Sequence, residues 1–304
     1  MVRLSMRAII KNLRHTHMVG DQTTEQVVAE SSCPGVGKAG IWATGLSDAG
    51  RGYLMMRVRP TFGQLLVCVG GQGLVLVEDR WQRCGAGQAY IMPLLANNAF
   101  RTVGRRRWQF CWIVYAPPAT GLLPAIGGDR PRLVDVDPRS ICSSIEGLYR
   151  EAMGPAEPTL LDSWMKLTLK YANRILDPYH DRDPLWAVWA AVTADLAARW
   201  SSQRLADLAM LSCEHVRRLC LQHTGRSPME QVTHLRMARA GALLESTPMK
   251  IAAVAQAVGY SNPFAFSTAF LRTTSLSPAA WRKATSANNT GRHLRTYMKS
   301  TGLT

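Results

Sequence analysis

Residues able to read a nucleic acid concentrate in two stretches near the C-terminal end of this 304-residue chain. In the first, SCEHVRRLCLQHTGRSP, helical spacing puts Glu214, Arg217 and Arg218 on the face opposite Val216 and Leu219, with Ser212 placed to cap the helix. Arginine can bond guanine O6 and N7 together and glutamate can accept from cytosine N4, so this trio has the chemistry of base readout in a major groove. The same charges would also make an ordinary solvated face. In the second stretch, NPFAFSTAFLRTTSLSPAAWR, Phe264, Ser267, Thr268 and Leu271 lie away from Phe266 and Phe270, while Arg272 and Arg282 add positive charge on the C-terminal side. These residues offer few bidentate donors.

The elements that must present these faces are short helices with defined ends. An Ala-rich helical pattern runs to Val258, Gly259 ends it, and a second helix starts at Pro263, where a missing N–H costs nothing and Asn262 can cap the free amides. About fifty residues earlier the plan repeats: Ala206 answers Ala255, Met210 answers Gly259, and Ser227-Pro228 answers Ser277-Pro278, with one extra residue in the second turn. Between the copies, Met229 to Leu244, with His234, Arg236 and Arg239, is long enough for a connecting helix. Two recognition helices held about 34 Å apart would enter successive major grooves.

From Pro184 to Ala284 the chain resembles the AraC/XylS family of bacterial transcription regulators. The motifs that carry this are Gly259-Tyr260-Ser261-Asn262, Phe266 with Phe270, and Ser277-Pro278-Ala279-Ala280-Trp281-Arg282. Departures are Met210 and Ser275 where the family usually has Gly, Thr274 where it has an aromatic residue, and Thr268 where Arg is frequent. The resemblance implies base-reading positions at Glu214, Arg217 and Arg218 in the first motif, and at Pro263, Phe264, Ser267 and Thr268 in the second. It also implies RNA polymerase as a partner, an N-terminal sensor domain, and dimerisation through helices that follow the sensor.

Residues 52–115 read as short strands: Leu54 to Val58, Gln64 to Val69, Gly73 to Val77, Tyr90 to Met92 and Trp108 to Tyr115, with Gly70 to Gly73 and Gly85 to Gly87 as turns. Such strands make a small barrel or sandwich, and VGGQGLVLVEDRWQRCGAGQAYIMP resembles the cupin-like sensor of this family. No His lies between His17 and His180, so metal-dependent cupin chemistry is disfavoured, and His15-x-His17 lacks a third metal ligand nearby. The barrel is expected to enclose a small organic effector, a carbohydrate among the candidates, or simply to fill its core. Tyr90, Trp108 and Trp112 are the candidate walls, because alternation puts Trp108, Phe110 and Trp112 on one face. Arg105-Arg106-Arg107 reads as a solvated turn or as a partner for an acidic ligand.

A further apolar stripe, Leu160, Trp164, Leu167, Tyr171 and Ile175, is flanked by Lys166, Lys170 and Arg174, and can pack on the barrel or on a partner's stripe. His180 to Pro184 breaks it. Trp186, Trp189, Val192, Leu196 and Trp200 have core spacing, and Cys213 is either an ordinary small residue or an oxidant-sensitive thiol. A formal net charge of +15 favours a polyanionic partner, and 47% hydrophobic residues supports well-packed cores. No apolar run is long enough to span a membrane, the apolar piece at the N-terminus is too short for a signal peptide, and seven scattered Cys fit a reducing compartment.

The expected fold class is α+β, a cupin-like β-barrel with helices followed by an all-α double helix-turn-helix. The expected organisation is a basic flexible arm (1–25), a sensor (26–137), dimerisation helices (138–180), a linker (181–184), a DNA-binding domain (185–285) and a disordered basic tail (286–304). The expected function is a cytoplasmic, homodimeric, effector-controlled regulator binding double-stranded DNA, with no catalytic residues, cofactor, metal or membrane partner. Whether it activates or represses stays open. The alternative is a ligand-binding or sugar-processing cupin with a helical bundle that does not bind DNA.

Overall fold

The computed structural model describes residues 16–20, 22–30, 32–33, 35–104, 106–115, 130–176 and 184–288. Most of the expected arm, His15, the expected linker up to Asp183 and the tail beyond Asn288 lie outside these. So do Arg105 and the side chain of Trp186.

Ten strands form the N-terminal half: β1 (Thr16–Met18), β2 (Thr24–Ala29), β3 (Ile41–Ala49), β4 (Leu54–Arg57), β5 (Gly63–Val77), β6 (Arg80–Gly85), β7 (Gln88–Met92), β8 (Asn98–Thr102), β9 (Trp108–Tyr115) and β10 (Arg132–Asp135). The main path runs β1-β4-β8-β5-β9-β3-β2, every pairing is antiparallel, and β2 does not close onto β1 or β4. The result is a curled cup, a half-barrel with one open side.

β5 holds the cup together. Gly63 to Cys68 sits between β7 and β9, whereas Gly73 to Val77 sits beside β6 and β8, and the pairing shifts register between Cys68 and Gly70. The Gly70 to Gly73 segment, expected as a turn, is therefore a bulge inside one continuous strand. The glycines are needed for close passage: a Cβ on Gly71, at φ +68°, would lie 2.1 Å from the Arg107 carbonyl oxygen, and one on Gly73 would lie 2.3 Å from the Trp108 ring. Arg107 is not a free turn residue, since its Nε meets Asp48 at 2.7 Å.

Inward residues of the cup, including Val27, Leu66, Tyr90, Phe100, Trp108, Phe110 and Trp112, form one core. The outer face is covered by α1 (Gly35–Lys38), α2 (Arg139–Met153) and α3 (Pro158–Leu176). On α3 the buried positions are Leu161, Met165, Thr168, Ala172, Asn173 and Leu176. The expected stripe is one residue out of phase with this face: Leu160 and Leu167 are exposed, and Trp164, Tyr171 and Ile175 are half-buried. Trp164 instead fills the crossing with α2 at Gly147.

The C-terminal half contains α4 (Leu185–Ala194), α5 (Ser202–Ala209), α6 (Cys213–Thr224), α7 (Pro228–Ser246), α8 (Ile251–Ala257), α9 (Pro263–Thr274) and α10 (Pro278–Asn288). Trp189 and Val192 on α4 pack with Leu196 and Trp200, which follow the helix, into the first motif's core. Phe266, Phe270 and Trp281 belong to a separate core in the second motif. The last turn of α10 reaches Asn288, so residues 286–288 complete a helix where a tail was expected.

A seam joins the halves. Leu94 of the cup packs into the first motif's core, and Leu95 touches both cores. Arg59 donates to the Thr274 carbonyl at the end of α9. Thr61 donates to Glu245 Oε2 at 3.0 Å, while Trp281 Nε1 donates to Glu245 Oε1 at 3.2 Å. Burial raises the Glu245 carboxyl to about 7, against the two hydrogen bonds that lower it.

Two outcomes are expected from these features. Met210, in the turn between α5 and α6, adopts the left-handed conformation at φ 52° with 90% of its surface exposed. That conformation costs a residue with a Cβ roughly 1–2 kcal/mol, partly offset by the chain entropy that glycine loses on folding. Met210→Gly should therefore raise the urea midpoint by an amount equivalent to about 0.5–1 kcal/mol. Gly259→Ala, at φ +82° with a Cβ 2.8 Å from the Ala197 carbonyl oxygen, should lower it.

The second concerns pH. A carboxyl whose folded pKa is raised from 4.5 to about 7 contributes most below 4.5, and its contribution is lost as pH rises through 7. Melting curves of Glu245→Gln, which stays neutral, should match the parent chain near pH 5 and exceed it at pH 8 by about 2 to 4 °C for each kcal/mol involved. A constant offset at all pH values would show that Glu245 does not titrate in the seam.

Candidate nucleic-acid interface

Each motif builds its recognition helix from local chemistry. Ser201 caps α5 by accepting from Arg204 N at 3.2 Å, and Ser212 caps α6 by accepting from His215 N at 3.2 Å. Asn262 caps α9 by accepting from Phe264 N at 2.8 Å, with Pro263 in the first turn. Gly225 and Ser275 end α6 and α9 in the left-handed conformation. Ser275 thus occupies a position that favours glycine, and it marks the same geometry in both copies.

On α6, Val216 and Cys220 are buried and Leu219 is half-buried, whereas Glu214, Arg217 and Arg218 are exposed together. Glu214 Oε1 holds Arg217 Nη1 at 3.3 Å, an exposed pair one turn apart that is weak enough to be exchanged for a base edge. Arg218 is exposed on the same face. Cys213 is half-exposed, with its Sγ 3.5 Å from Gln203 Oε1.

On α9, Phe266 and Phe270 turn inward and Phe264 stands 84% exposed at the leading turn. Ser267 donates to the Pro263 carbonyl at 2.9 Å and Thr268 to the Phe264 carbonyl at 3.1 Å, so both hydroxyl protons are already used within the helix. Arg272 is exposed on the edge of this face. With Arg226 it lines an open cleft of about 650 Å³ against Leu94 and Leu95 of the cup. Arg282, expected to add positive charge on this side, donates to the carbonyls of Leu244 in the last turn of α7 and of Met249 just beyond it.

The relative placement of the motifs rests on a residue that spacing alone did not single out for it. Arg236 of α7 donates through Nε to the Leu196 carbonyl and through Nη2 to the Ala198 carbonyl, both at 2.8 Å. Its guanidinium carbon lies 5.7 Å from the Tyr260 ring centroid. His234, on the same helix, is buried, and burial followed by the charge of Arg226 lowers its imidazole to about 3, so it is neutral at physiological pH.

The candidate effector walls have distinct roles. Tyr90 and Trp108 are fully buried and bonded within the cup, Tyr90 to the Leu76 carbonyl at 2.6 Å and Trp108 Nε1 to Cys68 Sγ at 3.1 Å. Trp112 leads elsewhere: its Nε1 donates to Ser47 at 2.8 Å, and Ser47 donates to Glu25 Oε1 at 2.7 Å, where Tyr53 also donates at 3.3 Å. Glu25 Oε2 is enclosed without a partner. Nearby, Arg57 donates to Gln64 Oε1 at 2.5 Å and lies over the rings of Phe62 and Phe100, 5.3 and 5.5 Å from their centroids. Burial raises Glu25 and lowers Arg57 to about 10, which leaves Arg57 cationic at neutral pH. Neither residue stood out in the sequence, although Met55 and Arg57 share a strand face and an arginine among inward apolar residues was the available signal.

Among the described residues, no group of three or more His, Cys, Asp or Glu is arranged to hold a metal, and no helix is long and apolar enough to cross a membrane.

Comparisons with known proteins bear on this arrangement. The family described as helix-turn-helix domain matches residues 205–284, which span both motifs. The MmsAB operon regulatory protein of Pseudomonas aeruginosa is 28% identical over 242 residues, covering 77% of this chain and 79% of that protein. The transcriptional activator RhaR of Klebsiella pneumoniae is 25% identical over 245 residues, covering 74% and 86%. Among solved structures, ToxT of Vibrio cholerae aligns over 79% of this chain and 96% of its own with a TM-score of 0.43 and 11% identity. Residues 205–284 are a helix-turn-helix domain of the AraC type, and the operon regulatory protein and the transcriptional activator match well beyond that domain.

Proposed function

We propose that this chain is a cytoplasmic, sequence-specific DNA-binding transcription regulator whose cup senses a small-molecule effector and whose residues 185–285 bind double-stranded DNA. The observation that carries this reading is the duplicated, capped recognition helix, each copy with one apolar face buried and the opposite face free. The net charge of +15 supports a polyanionic partner. Regulation of an operon is what the P. aeruginosa relative's name states of that protein, and the seam supports coupling between cup and motifs here. We infer a homodimer using the exposed Leu160 and Leu167 of α3, and RNA polymerase as the downstream partner of a bound regulator.

Within the DNA-binding half, Glu214, Arg217 and Arg218 read bases, Ser212 and Asn262 hold the two helices' leading turns, and Pro263, Phe264, Ser267 and Thr268 dock the second helix. A bidentate arginine–guanine pair is worth roughly 1–3 kcal/mol of discrimination, whereas Phe264 can offer only apolar contact to a thymine methyl. Arg272 meets phosphate. The first motif therefore carries most of the sequence discrimination and the second mostly positions the protein.

Two measurements check this. In a mobility-shift assay against a genomic fragment library, the full chain should select a small set of fragments. Equal retention of all fragments, or none, would remove the regulator reading. In binding-site selection, Arg217→Ala should relax base preference in one half of the site, while Arg272→Ala should weaken all sequences alike and reduce the salt slope by about one. An unchanged motif for Arg217→Ala together with a lost half-site for Ser267→Ala would reverse the assignment.

A further inference from the structure

Beside the open side of the cup stand two oppositely charged groups that the described residues satisfy only in part. Glu25 lies on β2 and Arg57 on β4, and these strands are not paired with each other. One carboxylate oxygen, Oε1, is held by Ser47 and Tyr53, and the latter bond spans the opening. The other, Oε2, is enclosed and has no partner. A guanidinium has five N–H donors, and one hydrogen bond of Arg57 goes to Gln64 while its guanidinium carbon lies over the rings of Phe62 and Phe100. Glu25 and Arg57 sit close enough to influence each other's ionisation, yet no ion pair joins them. An enclosed acceptor and a half-buried cation left apart in this way are costly to a closed protein and useful to an open one.

We propose that the cup binds a small organic acid whose carboxylate is held by Arg57 and whose hydroxyl or ammonium group donates to Glu25 Oε2. The planar fork of Arg57 matches a carboxylate in two parallel bonds, and the rings around it keep water from competing. Phe62, Phe100 and Trp112, all buried in the core of the cup, give the two groups apolar surroundings that match a short carbon chain. The neighbouring Trp42 ring, 5.3 Å from that of Phe62, completes the apolar rim. This deepens the reading of the cup as the effector-sensing part and rests on it. The ligand class is set by the two polar ends, which a neutral sugar would leave half satisfied.

The test uses the full chain and calorimetric titration with lactate, 3-hydroxybutyrate, alanine and 4-aminobutyrate. Each is titrated beside its primary amide, with propionate and butyrate as acids lacking the donor. At least one hydroxy or amino acid should bind saturably, and its amide should bind at least about tenfold more weakly, since it leaves the guanidinium unpaired. Arg57→Met should abolish binding of the acid. Glu25→Gln should weaken the hydroxy or amino acid about tenfold while leaving the acid without a donor unchanged. Should Arg57→Met lose its fold by circular dichroism, Arg57→Lys takes its place, and it should weaken the acid but not the amide.

Binding of no panel member, equal affinity for acid and amide, or an Arg57 variant with parental affinity would each overturn the proposal. The same preparations are run in the mobility-shift assay. Ligand binding without DNA binding would sink the regulator reading and leave the acid site standing, and DNA binding without any acid binding would do the reverse.

Discussion

Two recognition helices are useful only if their spacing is fixed, and that spacing depends on the guanidinium of Arg236. It stands on the connecting helix, donates to two carbonyls of the segment between α4 and α5, and lies over Tyr260 at the turn of the second motif. One planar group thereby references both motifs to a single point. Lysine could not do this, because a point charge on a flexible stem cannot bond two carbonyls in one plane and face a ring as well. The constraint also dictates a neighbour: a Cβ at Gly259 would stand 2.8 Å from Arg236 Nη2. The residue that ends α8 is thus glycine for two reasons, its left-handed backbone and the space the arginine occupies.

The cup obeys a similar logic on a larger scale. β5 must serve two sheets, so it is long, bulged at its centre and free of side chains where β9 passes closest. Leaving the edge strands β1 and β2 unpaired with each other sacrifices backbone hydrogen bonds that closure would have formed. What the open side gains is a lining that can include Glu25, Arg57 and Tyr53, polar residues that a closed and filled barrel of this size would exclude.

Much of the DNA-binding half was legible because its signals are local. Caps at Ser212 and Asn262, the stop at Gly259 and the outward face of α6 each follow from residues within a turn or two of one another. The cup was harder. The run Gly70 to Gly73 has the composition of a turn, and only the partner strands on either side turn it into a bulge. Strands β1, β2, β3, β6, β8 and β10 were not read from the sequence; in β6 and β8, Arg83 and Arg101 interrupt the apolar pattern. On α3 the stripe through Leu160 and Leu167 is as periodic as the buried one through Leu161, Met165 and Leu176, and tertiary packing chose between them. Arg282 reads only as added positive charge because nothing in its own neighbourhood shows the carbonyls of Leu244 and Met249 that it bonds. Glu25, Arg57 and Glu245 each find their partners on another strand or in the other half of the molecule, beyond the reach of local patterns.

The same distance effect explains how the cup can act on the DNA-binding half without a long relay. Arg57 lines the cup, Arg59 bonds the end of the second recognition helix and Thr61 bonds Glu245, all within five consecutive residues. Arg59 itself sits at φ 45°, a conformation a side-chain-bearing residue keeps only when its surroundings hold it there. A ligand that draws the Arg57 guanidinium toward the cup changes the force on a segment whose next polar contacts are those of the seam. Effector binding can shift the motifs only through a difference in contact energy between the two seam arrangements. Arg59 and Thr61 are placed to carry such a difference: they bond Thr274 at the end of the second motif's helix and Glu245, which Trp281 also bonds, while Leu94 and Leu95 pack against the cores of both motifs, so a change in residues 57–61 would reach the second motif through hydrogen bonds and the first through apolar packing.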